Sequence, residues 1–178
     1  MSKKSNRTVK TESDLQKLIE DTRKLRQTPT PVYNPTVFVL INGTEVANHR
    51  ESGFPKFNDI KRLVEKCITK YKPILIVVDS SLRYLIPETE LDDYENALKQ
   101  GLLVKTNVLV PIEEVGSYEE TVLKLLKLAL EKNAKIISNE DLAQSYESIK
   151  QKPLKKFENK KFLVHYKLTN DEIAIFEP

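Results

Sequence analysis

Short apolar runs recur along this chain, each ending at a cluster of polar residues, and this pattern narrows the possible folds more than any other feature. Val37-Phe38-Val39-Leu40-Ile41 ends at Asn42-Gly43, and Pro73-Ile74-Leu75-Ile76-Val77-Val78 ends at Asp79-Ser80-Ser81. Leu102-Leu103-Val104 forms a third run, and Lys135-Ile136-Ile137 a fourth that ends at Ser138-Asn139-Glu140-Asp141. Apolar runs without alternation are the mark of strands buried on both faces, as in parallel sheets. Helical spacing fills the intervals. Asn58 or Asp59 is expected to cap a helix presenting Ile60, Leu63, Val64, Cys67 and Ile68, and another helix runs from about Leu91 to near Gly101. Ser117 caps a long helix with Val122, Leu125, Leu126 and Ala129 on one face, and a short one covers roughly Leu142–Ile149. Two closing strands, 162–166 and 172–176, are joined by a Thr169-Asn170-Asp171 turn. Strands alternating with helices predict a mainly parallel central sheet covered on both faces.

Ahead of this pattern lies a different segment. Residues 1–11 lack apolar periodicity; Ser13 then starts a helix to about Gln27, which three prolines, Pro29, Pro31 and Pro35, break into an extended linker. The expected division is therefore a basic arm, 1–35, and one domain, 36–178. The arm holds eight Lys/Arg against four Asp/Glu, which leaves the body nearly neutral at 21 against 22. A basic arm suits an anionic partner such as nucleic acid, and equally a solvated tail. No apolar run approaches the roughly 20 residues that span a bilayer. The basic N-terminus lacks an apolar stretch behind it, and the single Cys67 builds no disulfide framework, so an intracellular, cytoplasmic place is expected.

In sheets of this kind ligands bind at the carboxyl ends of the strands. With four glycines in all, the chain builds neither a Walker nor a dinucleotide phosphate loop. Cys67 sits on an apolar helix face and reads as core; His165, in a strand, reads as structural, and His49, near the first strand's end, as a loop residue within reach of phosphate. What remains is carboxylate–metal chemistry. Mg²⁺ takes oxygen ligands, a few carboxylates plus substrate phosphate, and lowers the pKa of a bound water. The candidates are Glu45 past the first strand, Glu119 and Glu120 at the start of the long helix, and Glu140 and Asp141 past the fourth strand. Each has an ordinary reading as well: acids stabilise a helix N-terminus whatever else they do.

These residues carry a resemblance. Val39-Leu40-Ile41-Asn42-Gly43-Thr44-Glu45-Val46-Ala47 resembles the opening strand of the NYN branch of the PIN-like nucleases, in particular the Regnase-type ribonucleases that carry a CCCH zinc finger elsewhere. A proline-led helix from Pro87 into Leu102-Leu103-Val104, then Ser117-Tyr118-Glu119-Glu120 and Ile136-Ile137-Ser138-Asn139-Glu140, continue the likeness over about 36–178. The resemblance implies a three-layer α/β/α PIN-like fold and a Mg²⁺- or Mn²⁺-dependent endoribonuclease acting on single-stranded RNA. The family's leading aspartate falls on Asn42, its nearby asparagine on Glu45, its paired aspartates on Glu119 and Glu120, and the one after the fourth strand on Glu140 beside Asp141. A further aspartate falls at Gln144. The implied metal ligands are Glu45, Glu120 and Glu140. Arg83 and the stretch Lys150, Lys152, Lys155, Lys156, Lys160 and Lys161, interleaved with Phe157 and Phe162, are the candidate RNA contacts. Asn42 removes one negative charge from a site that must hold a divalent cation, and Glu45 restores one on a longer side chain. Two outcomes follow: a site rebuilt around glutamates that still cleaves, or a decayed site in a domain that binds RNA or protein, and a homodimer is a possible assembly.

Overall fold

The computed structural model describes residues 37–49, 54–105, 107–150, 162–169 and 172–177. The basic arm with its helix and linker, and the lysines from 152 to 161, lie outside the described residues.

The unbroken apolar run at the start becomes β1, Val39–Asn42, buried along its whole length. It lies between two parallel neighbours, β2 (Ile74–Asp79) and β6 (Lys135–Ile137). Beyond β2 lies β5 (Ile112–Val115), and beyond β6 lies β7 (Leu163–Leu168), both parallel; β8 (Ile173–Phe176) closes the sheet antiparallel to β7. The strand order β5-β2-β1-β6-β7-β8 reads as a three-layer α/β/α architecture with a mostly parallel sheet, as the alternation predicted.

One face is covered by α1 (Gly43–Asn48), α2 (Phe57–Cys67) and α4 (Glu88–Gln100), the last preceded by a single turn, α3 (Leu82–Leu85). Ile60, Leu63, Val64 and Cys67 fall at helical spacing and bury against Val39, Ile41, Ile76 and Val78. Cys67 is core, and burial pushes its thiol up to about 12. The other face is covered by α5 (Tyr118–Lys132) and α6 (Leu142–Lys150), whose Val122, Leu125, Leu126, Ala129 and Leu142 bury against Leu40, Val77 and Ile136. Ser117 caps α5 by accepting the Glu120 N–H at 3.3 Å, and Asn133 ends it in the left-handed region at φ 50°.

Four local expectations are corrected. Leu102-Leu103 is not a central strand: β3 (Leu102–Leu103) pairs only with β4 (Leu109–Val110), as a separate antiparallel ribbon. Its place in the sheet is taken by β5, whose sequence Ile-Glu-Glu-Val hides it. As an edge strand it tolerates two glutamates, which pair with Lys124 and Arg83. The residues after β1 form a helix rather than a loop, because Asn42 accepts the Glu45 N–H and so caps it. Neither Asn58 nor Asp59 caps α2; the cap comes from α4, where Glu90 Oε2 accepts the N–H groups of Phe57 (2.6 Å) and Asn58 (3.3 Å). Finally, α4 begins at Glu88, immediately after Pro87, rather than at Leu91.

Candidate functional site

Chain order and strand order part company between β1 and β6. From β1 the chain steps to β2 and β5, then crosses back to the far side of β1, and α/β sheets open a crevice at such a point. Ile41 pairs with Ile137, so the residues that follow, Asn42 and Ser138-Asn139-Glu140, leave the sheet side by side.

Asn42 is 1% exposed, and every polar atom of its amide is used. Oδ1 accepts from the Glu45 N–H at 3.4 Å, while Nδ2 donates to Glu140 Oε2 at 3.3 Å and to Ser138 Oγ at 3.5 Å. The amide can sit only this way round: flipped, its oxygen would face a carboxylate and its NH₂ an N–H. Glu45 is held from several sides. Its Oε1 accepts from Tyr166 OH at 2.9 Å and lies 3.7 Å from His49 Nδ1; its Oε2 accepts from Ser138 Oγ (3.4 Å) and the Asn139 N–H (3.3 Å). Burial raises the Glu45 pKa above the ordinary value, with the Glu140 charge adding to the rise and the Tyr166, Asn139 and His49 contacts opposing it. The Tyr166 hydroxyl is also pushed up, by burial first and then by the Glu45 charge. Glu140 Oε1 accepts from Ser145 Oγ at 3.0 Å, and that hydroxyl in turn accepts from Tyr118 OH at 2.9 Å.

The loop carrying these groups is clamped. Asn139 donates Nδ2 to the Tyr166 carbonyl at 2.8 Å and accepts the Tyr166 N–H on Oδ1 at 3.0 Å, so a side-chain amide continues the ladder where β6 has ended. Behind it, Gly43 lets α1 lie directly on β2: a Cβ there would come within 2.6 Å of Val78 Cγ1 and 2.8 Å of Ile76 Cγ2.

Of the residues singled out in the sequence, Asn42, Glu45 and Glu140 meet in this one network. Asp141 instead caps α6, accepting the Gln144 N–H at 3.1 Å. Glu120 turns back to accept the Gly116 N–H at 2.8 Å, completing the cap that Ser117 begins, and Glu119 is exposed in the same turn. The residue of this turn that reaches the network is Tyr118. Arg83 donates Nη2 to both oxygens of Glu114 at 3.2 Å, so its charge is matched within the protein. Lys150 is exposed in the last turn of α6, and the remaining lysines of that stretch lie outside the described residues. Sequence reasoning missed the connectors Ser138, Tyr166, Tyr118 and Ser145. It also left aside Asp79, a buried carboxylate at the end of β2, whose Oδ1 accepts from Ser81 N (2.9 Å) and Ser81 Oγ, while its own N–H donates to Thr44 Oγ1 at 2.8 Å. Its position at a strand end was the available signal.

These groups do not fit the expected Mg²⁺ or Mn²⁺ site. Such an ion needs lone pairs converging on one point, with room for its waters. Here an amide NH₂ group is directed at Glu140, both oxygens of Glu45 accept from protein donors, and Glu120 is engaged in its own cap. Among the described residues, no three His, Cys, Asp or Glu are grouped to hold a metal.

No protein-family model matches the chain, and no curated protein sequence matches it. Among solved structures, the nuclear protein-only RNase P 2 of Arabidopsis thaliana superposes with a TM-score of 0.54 at 12% identity, over 96% of this chain and 38% of that one. A second structure, titled as the nuclear proteinaceous RNase P 2 of the same plant, gives 0.54 at 13%, over 94% and 37%. The chain thus spans less than two fifths of the length of either. At such identity the likeness is one of architecture, and together with the strand order it assigns the chain a PIN-like α/β/α fold.

Proposed function

We propose that the chain is a PIN-like domain that binds single-stranded RNA without cutting it. The observation that carries this reading is the closed network at the switch point, where the Asn42 amide stands between Ser138 and Glu140 and Glu45 is saturated by Tyr166, Ser138 and Asn139. A site that satisfies its own carboxylates has little left with which to ligate a cation. RNA as the partner is supported by the printed function of the structures that share the fold, and by the basic arm, residues 1–35, joined to a domain over 36–178. Lys150 and the lysines that follow it would supply phosphate contacts. The Regnase-type likeness and a cytoplasmic location belong to this reading.

The experiment is binding of a fluorescein-labelled single-stranded RNA across a salt series, with cleavage of the same RNA followed on gels in Mg²⁺, Mn²⁺ and EDTA. The reading expects affinity that falls with salt, ignores metal and survives Glu140→Gln, with intact RNA throughout. Metal-dependent cleavage lost on Glu140→Gln would overturn it in favour of the second reading, a metal-dependent endoribonuclease rebuilt around glutamates. One observation favours that second reading: Glu45 and Glu140 lie close enough for the charge of one to raise the pKa of the other.

A further inference from the structure

On the face of the sheet covered by α2 and α4 there is a groove of about 350 Å³, well apart in the chain from the strand ends that carry Asn42 and Glu140. Its lip is apolar. Leu103 and Leu109 stand directly opposite each other in the β3–β4 ribbon and are 55% and 56% exposed. Paired large aliphatic side chains left half in water mark a contact surface more often than lone ones do. The floor is formed by the buried Phe57, Ala97 and Leu102. One wall is α4, which lines the groove with Glu90, Asp93, Asn96 and Gln100, and the other is α2, which contributes Asn58 and Lys61.

The charge of that wall decides what can enter. In its thirteen residues α4 carries Glu88, Glu90, Asp92, Asp93 and Glu95 against the single cation Lys99. Glu90 is committed to the N-terminus of α2, whereas Asp93 is exposed and has no hydrogen bond or ion pair among the described residues. In the groove itself Glu90 and Asp93 face a single cation, Lys61, so a phosphate backbone meets more like charge than opposite charge there, and α4 beyond the groove adds Glu88, Asp92 and Glu95. The groove is also rigidly built. Gly101, at φ +90°, turns α4 onto the ribbon, and a Cβ there would sit 3.2 Å from the Val110 carbonyl oxygen.

We propose that this groove docks a segment of a protein partner that is both basic and apolar, with aliphatic side chains seated on Leu103 and Leu109 and lysines or arginines along α4. Such a segment satisfies both features at once: it covers the exposed leucines and neutralises the acidic wall. The proposal does not depend on what the switch-point network does, since the two use different residues.

The test uses the full chain and two fluorescein-labelled synthetic peptides, one alternating leucine with lysine and one alternating leucine with glutamate, read by fluorescence anisotropy. The leucine–lysine peptide is expected to bind saturably and the leucine–glutamate peptide not at all. Leu103→Asp with Leu109→Asp should weaken binding by about tenfold or more, since anchors at the centre of an interface carry most of its affinity. Asp93→Lys should weaken it several-fold at low salt and hardly at all at high salt. All the changed side chains are exposed, and Leu103→Ser with Leu109→Thr serves as a second apolar deletion should aspartates disturb the ribbon; thermal melts check folding. Absence of saturable binding, equal binding of both peptides, or affinity unchanged in the leucine and Asp93 variants overturns the proposal. So does a uridine-rich RNA oligonucleotide losing its affinity in the leucine variants, which would make the surface an RNA contact.

Discussion

Replacing Asn42 by aspartate changes a single group, from NH₂ to O⁻, at a position 1% exposed. The cap bond from the Glu45 N–H survives, because either side chain offers an oxygen there. The bond to Glu140 Oε2, now 3.3 Å long, becomes a contact between two carboxylates, with Glu45 held to the same Ser138 hydroxyl. Two like charges about 4 Å apart repel by roughly 4 kcal/mol at an effective dielectric constant of about 20. Proton uptake limits the damage: placing a proton at pH 7 on a carboxyl of ordinary pKa near 4 also costs about 4 kcal/mol, and near pH 5 only about 1. The Asn42→Asp variant should therefore be less stable by about 3–4 kcal/mol at pH 7 in EDTA. For a chain of this size that lowers Tm by roughly 6–16 °C, shrinking to a few degrees near pH 5. Calorimetry or circular-dichroism melts at both pH values measure it. Added Mn²⁺ should recover part of the loss in the variant and leave the parent unchanged, because only the variant offers a third carboxylate. A variant as stable as the parent at pH 7 without metal would show that the Asn42 amide does not separate the acids, and the reading of the network as closed would fall.

Further outcomes follow from the same geometry. Burial raises the pKa of Glu45, so its contribution to stability is present below the unfolded value and lost as pH rises through the raised folded value; the stability advantage of the parent over Glu45→Gln, read from denaturant titrations, should shrink as pH rises above 4.5. Glu177 behaves oppositely. Hydrogen bonds from Lys135 (2.7 Å), Lys70 (2.6 Å) and Tyr71 hold its carboxyl at about 2, so its stabilisation is present above the unfolded value and fades as pH falls toward 2. With a third of that side chain exposed, Glu177→Gln should cost only about 1 kcal/mol at pH 7, and the two melting curves should converge in acid. Ser117→Ala should cost about 1 kcal/mol through its lost cap, whereas Glu120→Gln should cost a few tenths and leave RNA affinity unchanged; a large effect of Glu120→Gln on RNA would return that residue to the site. Gly43→Ala should cost about 1–3 kcal/mol, seen as a lower urea midpoint, because α1 must back away from Ile76 and Val78.

The central strands were legible because they are buried on both faces, and β7 and β8 were legible from the turn between two short strands. β1, β2 and β6 read as continuous apolar runs because helices cover both faces of the sheet there. β5 was illegible because an edge strand need not be apolar, and β3 was misplaced because its leucines read as core although only Leu102 is buried and Leu103 lies exposed. The cap on α2 comes from Glu90, more than thirty residues away, and no local pattern announces such a partner. At the site, position at the strand ends singled out Asn42, Glu45 and Glu140. What that position withheld was the direction of each hydrogen bond. Tyr166 reaches Glu45 only because β7 docks beside β6 with Val164 opposite Ile137, a register that no motif encodes. Glu119 and Glu120 looked like ligands because the acids of a helix cap and those of a metal site share the same residue types at the same kind of turn.

The Asn139 amide, which takes both the N–H and the carbonyl of Tyr166, has a consequence for adaptability. A loop fastened by a two-point clasp to the neighbouring strand does not swing aside to admit a guest, nor fold over one. Whatever this end of the sheet accepts must fit the surface already present, and the protein behaves there as a mould rather than a hand. Amide exchange at Tyr166 should then be as slow as in the middle of the sheet, although the residue lies beyond the last backbone rung of β6.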